Sequence, residues 1–340
     1  MKFGIGFFPD GGPDRISARR YFEEALSLAE RADALGYESV KMVEHHFTSY
    51  GGYSPDPCVF LAACAQRAPR MRMVTGAVLP AFNHPLKLAG QLAMLDALCG
   101  GRLDVGVARA FMPYEFDGFG VSLEERRPRF EEGIEALRRL WTEERVTFEG
   151  RFHRFRDVTV LPRPTQTPGV VRVGRSARLQ HGGGALSGRA SRARREARAL
   201  PTGVPRARAR GGPRPGAGHD GAAPLRGADL ARGPGGRPYM EQYLHNFRAS
   251  ARAWTGRQSG QYKAYSGLEQ MLDEITYDRV LAETRAIIGD PEDTARQIEY
   301  VRDTFGDVHA SFQINFGVME EPRARRSIEL FAHHVMPRFR

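Results

Sequence analysis

Residues 3–8, 19–35 and 39–43 read FGIGFF, RRYFEEALSLAERADAL and SVKMV, and this succession decides the fold. The first and third stretches are short apolar runs, which are typical of buried strands. Between them, Phe22, Leu26 and Ala29 recur at helical spacing, and a glycine follows where helices commonly end. A strand, a helix and a second strand in this order predict a parallel βαβ unit.

The same alternation continues along the chain. It predicts further strands at 72–79, 102–108 and 309–316, and helices at 55–68, 85–99, 124–141, 239–254, 291–305 and 322–336, with an inserted hairpin over 146–160. With room for roughly three more units, the pattern predicts a (β/α)8 TIM barrel, α/β in class, and a single domain over residues 1–340. The alternative is an open, doubly wound sheet. Such a sheet usually has a GxGxxG turn after its first strand, and the Gly-Gly pair at 11–12 does not match it.

Residues 171–237 interrupt this pattern. They contain 15 Gly, 13 Ala, 15 Arg and 6 Pro among 67 residues, and no aromatic residue. Three interpretations compete: a disordered insertion, an Arg/Gly-rich arm for nucleic acid, or an aberrant, frame-shifted stretch of a GC-rich gene. We favour the frame shift, because the segment lies where a barrel has ordinary strands and helices. Resequencing the gene would test it.

The positive charge of the chain belongs to this segment. Its 15 arginines and three acidic residues give a net charge of +12, which leaves −2 for the other 273 residues of a chain of net charge +10. Without Phe or Tyr to stack on bases, the segment does not predict a nucleic-acid partner.

Composition also bears on the compartment. The chain has no apolar run of about 18 residues, so we expect no membrane span. The short apolar stretch near the N-terminus predicts a strand rather than a signal peptide. Cys58, Cys64 and Cys99 form no CxxC motif, and we expect free thiols in a cytoplasmic protein.

Chemically active residues follow the second predicted strand, where catalytic groups of barrels lie. They are Glu44, His45 and His46. Two imidazoles and a carboxylate suit general acid–base chemistry near neutral pH. The alternative is that one histidine only hydrogen-bonds a loop.

The next two strand ends suggest where a cofactor binds. Gly76 and Ala77 are small enough for a flat ring to approach the backbone, although a packing role explains them equally well. Arg109, which follows Ala108, is suited to a phosphate or to a salt bridge with Glu115. We find no P-loop, nucleophile elbow or zinc-spaced Cys/His set, and expect no metal.

With these residues in view, the chain resembles the bacterial luciferase-like flavin-dependent monooxygenases, most closely the luciferase α-subunit branch. The resemblance rests on the MKFG start, the EHHFT run at 44–48, the segment from Leu79-Pro80 to His84-Pro85, and the Gly-Arg pair before Arg109. It extends to GDPE at 289–292 and VMP at 335–337, and covers residues 1–170 and 238–340.

The resemblance implies an activity and a cofactor. Reduced FMN would come from a separate NAD(P)H-dependent flavin reductase, O2 would add at flavin carbon 4a, and the peroxide would oxygenate an organic substrate. The family usually forms homodimers. Aldehyde-, terpenoid- and polyketide-like substrates all stay open, as does light emission.

The resemblance also implies roles for single residues. His45 would be the base or the peroxide-stabilising group, with Glu44 and His46 beside it. Ala77 would follow a non-proline cis peptide from Gly76 beneath the flavin ring. The remaining positions are Arg109 at the phosphate, Phe111 near the ring, and Ala108 in place of a family cysteine that is not essential.

Such chemistry needs a dry, aromatic-lined pocket, and the predicted wall residues are Phe7, Phe47, Phe111 and Tyr114. The fifth strand, which helps to bind the phosphate in the family, falls inside 171–237. From the chain as printed we therefore expect weak FMN binding and a poorly closed barrel.

Two other functions stay open. One is a deazaflavin-dependent oxidoreductase that transfers hydride, which the EHHFT run disfavours. The other is a non-catalytic flavin-binding or nucleic-acid-associated barrel, whose binding through the Arg-rich arm would weaken steeply with salt.

Overall fold

The computed structural model describes residues 1–166, 170–172, 185–187, 236–252, 274–282 and 286–340. Most of the Arg/Gly-rich segment 171–237 lies outside these residues. The hypotheses about that segment therefore stay predictions.

The described strands form one large sheet and one hairpin. In chain order they are β1 (Lys2–Phe7), β2 (Ser39–Met42), β3 (Arg72–Thr75), β4 (Leu103–Val107), β5 (Val146–Glu149), β6 (Arg154–Val158), β7 (Val170–Arg172), β8 (Ala185–Ser187) and β9 (His309–Gln313). The seven-stranded sheet has the order β7-β4-β3-β2-β1-β9-β8, and β5 pairs with β6 in the predicted hairpin. All strand pairs of the seven-stranded sheet are parallel except β8 with β9. The class is thus α/β with a mainly parallel sheet, and the last long strand lies beside the first.

The helices are α1 (Ala18–Ala34), α2 (Pro57–Arg67), α3 (Pro85–Leu98), α4 (Pro113–Gly118), α5 (Arg126–Thr142), α6 (Arg237–Arg252), α7 (Tyr277–Ala282), α8 (Pro291–Phe305) and α9 (Glu321–Leu330). The prediction for 291–305 is confirmed, and the Asp290 side chain accepts from the Asp293 amide at 2.8 Å as its N-cap. The closing helix, predicted to reach 336, ends as an α-helix at Leu330 and continues as a π-helical turn. The short helix α4 was not predicted.

The sheet has two unlike faces. Its outer face packs against the helices through apolar side chains that are 0–2% exposed: Phe3, Ile5, Phe7, Val40 and Met42. The intervening residues form the inner face, which carries Gly4, Gly6, Ser39, Lys41 and Ser311. This alternation follows from the two-residue period of a strand.

Two further expectations concern the whole chain. The three cysteines are free, as predicted, and all three are buried. Among the described residues, no helix is both long and apolar enough to cross a lipid bilayer.

Candidate active site

His45 is paired with a carboxylate from another loop. It lies just past the C-terminal end of β2, and its Nδ1 is 3.0 Å from Oε1 of Glu115, a fully buried residue of α4. The same oxygen accepts the backbone N–H of His46 at 2.9 Å. Because a carboxylate only accepts, Nδ1 of His45 carries the proton in this pair. Its Nε2 has no hydrogen-bond partner in the part of the chain described, which leaves that nitrogen available to take a proton.

Glu44 and His46 form a separate pair that faces a different loop. Nε2 of His46 lies 3.3 Å from Oε1 of Glu44. The Glu44 carboxylate also accepts from the Leu79 amide at 2.8 Å and from Nδ2 of Asn83 at 2.9 Å. Burial raises the pKa of Glu44, although these hydrogen bonds act in the opposite direction. Glu44 therefore anchors the loop after β3, and no hydrogen bond joins it to His45.

Aromatic rings enclose His45. The centroids of Phe8, Tyr50 and Phe111 lie 5.4, 5.5 and 6.0 Å from its ring. Gly51 leaves space beside it, because a Cβ at that position would lie 2.8 Å from Cδ2 of His45. The imidazole is thus held in a largely dry environment with one edge toward Phe111.

The predicted wall was wrong at one residue. Phe7 is 1% exposed and packs on Phe60 of α2 on the outer face, with ring centroids 5.4 Å apart. Strand alternation instead brings its neighbour Phe8 to the site. Phe47 is 63% exposed and has a φ of +68°, while the Tyr114 hydroxyl lies 3.0 Å from Oγ1 of Thr48.

The peptide between Gly76 and Ala77 is cis, as the resemblance predicted. It interrupts the strand predicted over 72–79, which ends at Thr75 and resumes as an isolated bridge at Val78. The Thr75 hydroxyl donates to the Gly106 carbonyl and accepts the Gly106 amide, both at 2.9 Å, and so bridges the gap in pairing with β4. Ala77 is buried, and the aliphatic stem of Lys41 lies against Gly76, where an added Cβ would collide with its Cγ and Cδ.

Ala108 and Arg109 follow β4, at the same end of the sheet as His45. Ala108 is partly buried, and its amide donates to the Val78 carbonyl at 3.1 Å. The guanidinium-bearing side chain of Arg109 is exposed at the rim. Glu115, the salt-bridge partner considered for Arg109, accepts instead from His45 and His46.

Sequence reasoning did not assign Asn83 or Asp10 to this site, and it considered Glu115 only as a salt-bridge partner of Arg109. Asp10 is buried after β1, and its carboxylate accepts the Gly317 amide at 2.8–2.9 Å, which joins the ends of β1 and β9. Burial raises the pKa of Asp10 to about 7. The strand-end rule that singled out His45 also applies to Asp10, but Glu115 lies in a helix that the sequence pattern did not reveal.

No group of three or more His, Cys, Asp or Glu side chains within the described ranges is arranged to hold a metal ion.

Comparisons with known proteins bear on the family to which the chain belongs. A family model described as luciferase-like monooxygenase matches residues 1–307. The crystal structure of monooxygenase RslO1 from Streptomyces bottropensis is 37% identical, with 100% of both chains covered and a TM-score of 0.69. The oxygenating constituent of 3,6-diketocamphane monooxygenase from Pseudomonas putida, a type II Baeyer–Villiger monooxygenase in complex with FMN, shares the fold at 15% identity, with 100% and 99% of the two chains covered and a TM-score of 0.68.

One curated relative is the oxygenase component of the flavin-dependent trigonelline monooxygenase of Acinetobacter baylyi. It is 31% identical over 170 residues, which is 49% of this chain and 47% of the relative. This chain spans about half the length of the curated relatives it matches. The family model and the full-length similarity together show that the chain belongs to the luciferase-like monooxygenase family.

Proposed function

We propose that the chain is a flavin-dependent monooxygenase that uses reduced FMN and O2 to oxygenate a small organic substrate. The observation that supports it best is the buried His45–Glu115 pair. It lies at the same end of the sheet as the Gly76–Ala77 peptide and Arg109, inside an aromatic enclosure. The trigonelline relative, named as a flavin-dependent oxygenase component, supports the same activity and a separate flavin reductase as partner.

The residues present fit a flavin. The small, buried side chain of Ala77 suits contact with the flat ring, and Phe111 lies at the same end of the sheet, whereas the stem of Lys41 covers Gly76. Arg109 presents a guanidinium group at the rim, which suits the phosphate. Glu115 adds a buried Oε2 with no hydrogen-bond partner among the described residues, so one acceptor next to His45 stays unsatisfied.

The protein groups would divide the work as follows. Reduced flavin, when bound, supplies the two electrons that activate O2 for transfer to the substrate. Glu115 holds the His45 imidazole in one tautomer, so that Nε2 takes a proton from the substrate or hydrogen-bonds an oxygen atom near the ring. Phe8, Tyr50 and Phe111 exclude water around that nitrogen.

The remaining expectations belong to the same proposal. The run of parallel strands from β7 to β9, with β9 beside β1, supports a (β/α)8 barrel and one domain over residues 1–340. The three free cysteines support a location in the reducing cytoplasm. A homodimer follows from the resemblance alone, and light scattering coupled to gel filtration would test it.

The decisive experiment is an anaerobic titration with reduced FMN, followed by rapid mixing with oxygenated buffer while the flavin absorbance is recorded. We expect weak binding by this chain, and then a transient spectrum distinct from that of oxidised FMN. Product analysis with an aldehyde, a terpenoid and an aromatic polyketide would then narrow the substrate class.

Two results would contradict the proposal. Binding of a deazaflavin but not FMN would favour hydride transfer. Immediate return to free oxidised FMN, both for this chain and for one made from a gene corrected across codons 171–237, would exclude the oxygenase. The second preparation matters because the Arg-rich segment interrupts the expected phosphate site.

A further inference from the structure

Lys41 is a cationic side chain on the inner face of the sheet. It lies on β2, in register with Gly6 of β1 and Val74 of β3. A side chain at Gly76 would collide with Cγ and Cδ of Lys41, and a Cβ at Gly6 would lie 3.2 Å from its Cε. The stem of Lys41 therefore covers Gly76, and its ammonium group lies one bond beyond a carbon that reaches Gly6.

The Lys41 ammonium has no hydrogen-bond or ion-pair partner in the described part of the chain. Asp104, the carboxylate in the same row of paired residues, is already engaged by two nitrogens of Arg72 at 2.6 and 2.7 Å. On β9, the imidazole of His309 lies 2.8 Å from Oγ of Ser39. Burial is the main cause that lowers the pKa of that histidine, and the charge of Lys41 is a smaller cause in the same direction. No described side chain thus neutralises Lys41.

An unneutralised cation in this position has a free-energy cost, because it has lost much of its hydration. Burial lowers the pKa of Lys41 to about 8, so the side chain is still mostly protonated at neutral pH. Groups perturbed in this way beside a cleft are candidates for contact with a ligand of opposite charge.

We propose that Lys41 makes the site prefer reduced over oxidised flavin, because its ammonium group neutralises the negative charge that the isoalloxazine ring gains on reduction. This inference rests on the proposed function, which lays the ring against the Gly76–Ala77 peptide. A reduced flavin loses its N1 proton near neutral pH and becomes an anion, whereas the oxidised ring is neutral. A nearby fixed cation stabilises the first form and leaves the second almost unchanged.

The test is the ratio of dissociation constants for oxidised and reduced FMN, measured by anaerobic titration of the full chain. In Lys41→Met we expect the preference for reduced FMN to fall about tenfold, which lowers the two-electron potential of the bound flavin by about 30 mV. Lys87→Met is the matched control, since Lys87 is exposed on α3 and should leave the ratio unchanged. Lys41→Gln provides a second uncharged variant should the methionine variant fold poorly.

The outcomes separate this inference from the proposed function. If the unsubstituted chain binds reduced FMN and both Lys41 variants keep its ratio, the role of Lys41 is overturned and the oxygenase proposal stands. If neither the unsubstituted chain nor the chain made from the corrected gene binds FMN in either redox form, the proposed function fails and the role of Lys41 fails with it.

Discussion

The two faces of the sheet are built from alternate residues of the same strands, yet they differ in every physical respect. On the outer face, Phe3, Ile5 and Phe7 are nearly inaccessible and pack against helices. On the inner face, Gly4 and Gly6 leave β1 bare, and Ser39 and Lys41 stand beside them on β2. Burial of apolar side chains on the outer face therefore stabilises the folded chain. On the inner face, burial of the charged Lys41 lowers the free energy of unfolding. The difference teaches that chemistry in this fold is expected only on one side of each strand.

The largest expected effect concerns the rim. His45→Asn keeps a donor for Glu115 but removes Nε2, and we expect substrate turnover to fall by about 10²–10⁴-fold with little change in melting temperature. The matched variant is His46→Gln, which keeps a donor for Glu44 and should retain most of the turnover. Equal losses in both variants would show that the two histidines are not functionally distinct.

The outer face should respond in the opposite way. Phe7→Ala removes a ring that is 1% exposed and packed on Phe60, so we expect the free energy of unfolding to fall by about 3–5 kcal/mol in denaturant titrations. Phe47→Ala is the control, because that ring is 63% exposed and its loss should cost far less. Similar losses at both positions would contradict the assignment of stability to the outer face.

The smallest effect is a gain of stability on the inner face. The pKa of Lys41 falls from 10.5 to about 8 in the folded chain, so the unfolded chain binds more protons between these values. The unfolding free energy should therefore rise with pH over that interval and be lower below it. Lys41→Met removes this cost, and without FMN we expect a stabilisation of about 2 kcal/mol at pH 7, allowing for the partial exposure of the side chain.

The pH dependence gives this prediction its control. The advantage of Lys41→Met over the unsubstituted chain should shrink from pH 8 upward and vanish near 10.5. An advantage that is constant with pH would mean that the methionine acts through packing rather than through lost charge.

Much of the fold follows from local sequence signals. The helix at 291–305 was predictable because Asp290 caps it and Pro291 fits its first turn. The strand predicted over 72–79 was too long, since apolar periodicity does not report the cis peptide after Gly76. Helix α4 has six residues, which is too short for a helical period to show.

The site was predictable only in part, for a related reason. His45 stood out because two histidines and a carboxylate follow a strand directly. Its partner Glu115 lies 70 residues further along the chain, and only the packing of α4 brings the two together. The position of Lys41 on the inner face follows from strand alternation. Its lack of a counter-charge arises because Asp104 is paired with Arg72, and that ion pair is a tertiary contact that the sequence pattern does not report.

The shared oxygen of Glu115 has a mechanical consequence. Oε1 of Glu115 in α4 accepts hydrogen bonds from both the His45 ring and the His46 backbone N–H. These two bonds connect the loop after β2 to the loop after β4. Any displacement of α4 would therefore turn the imidazole in the same movement. The position of α4 and the orientation of the His45 imidazole are thereby coupled through a single carboxylate.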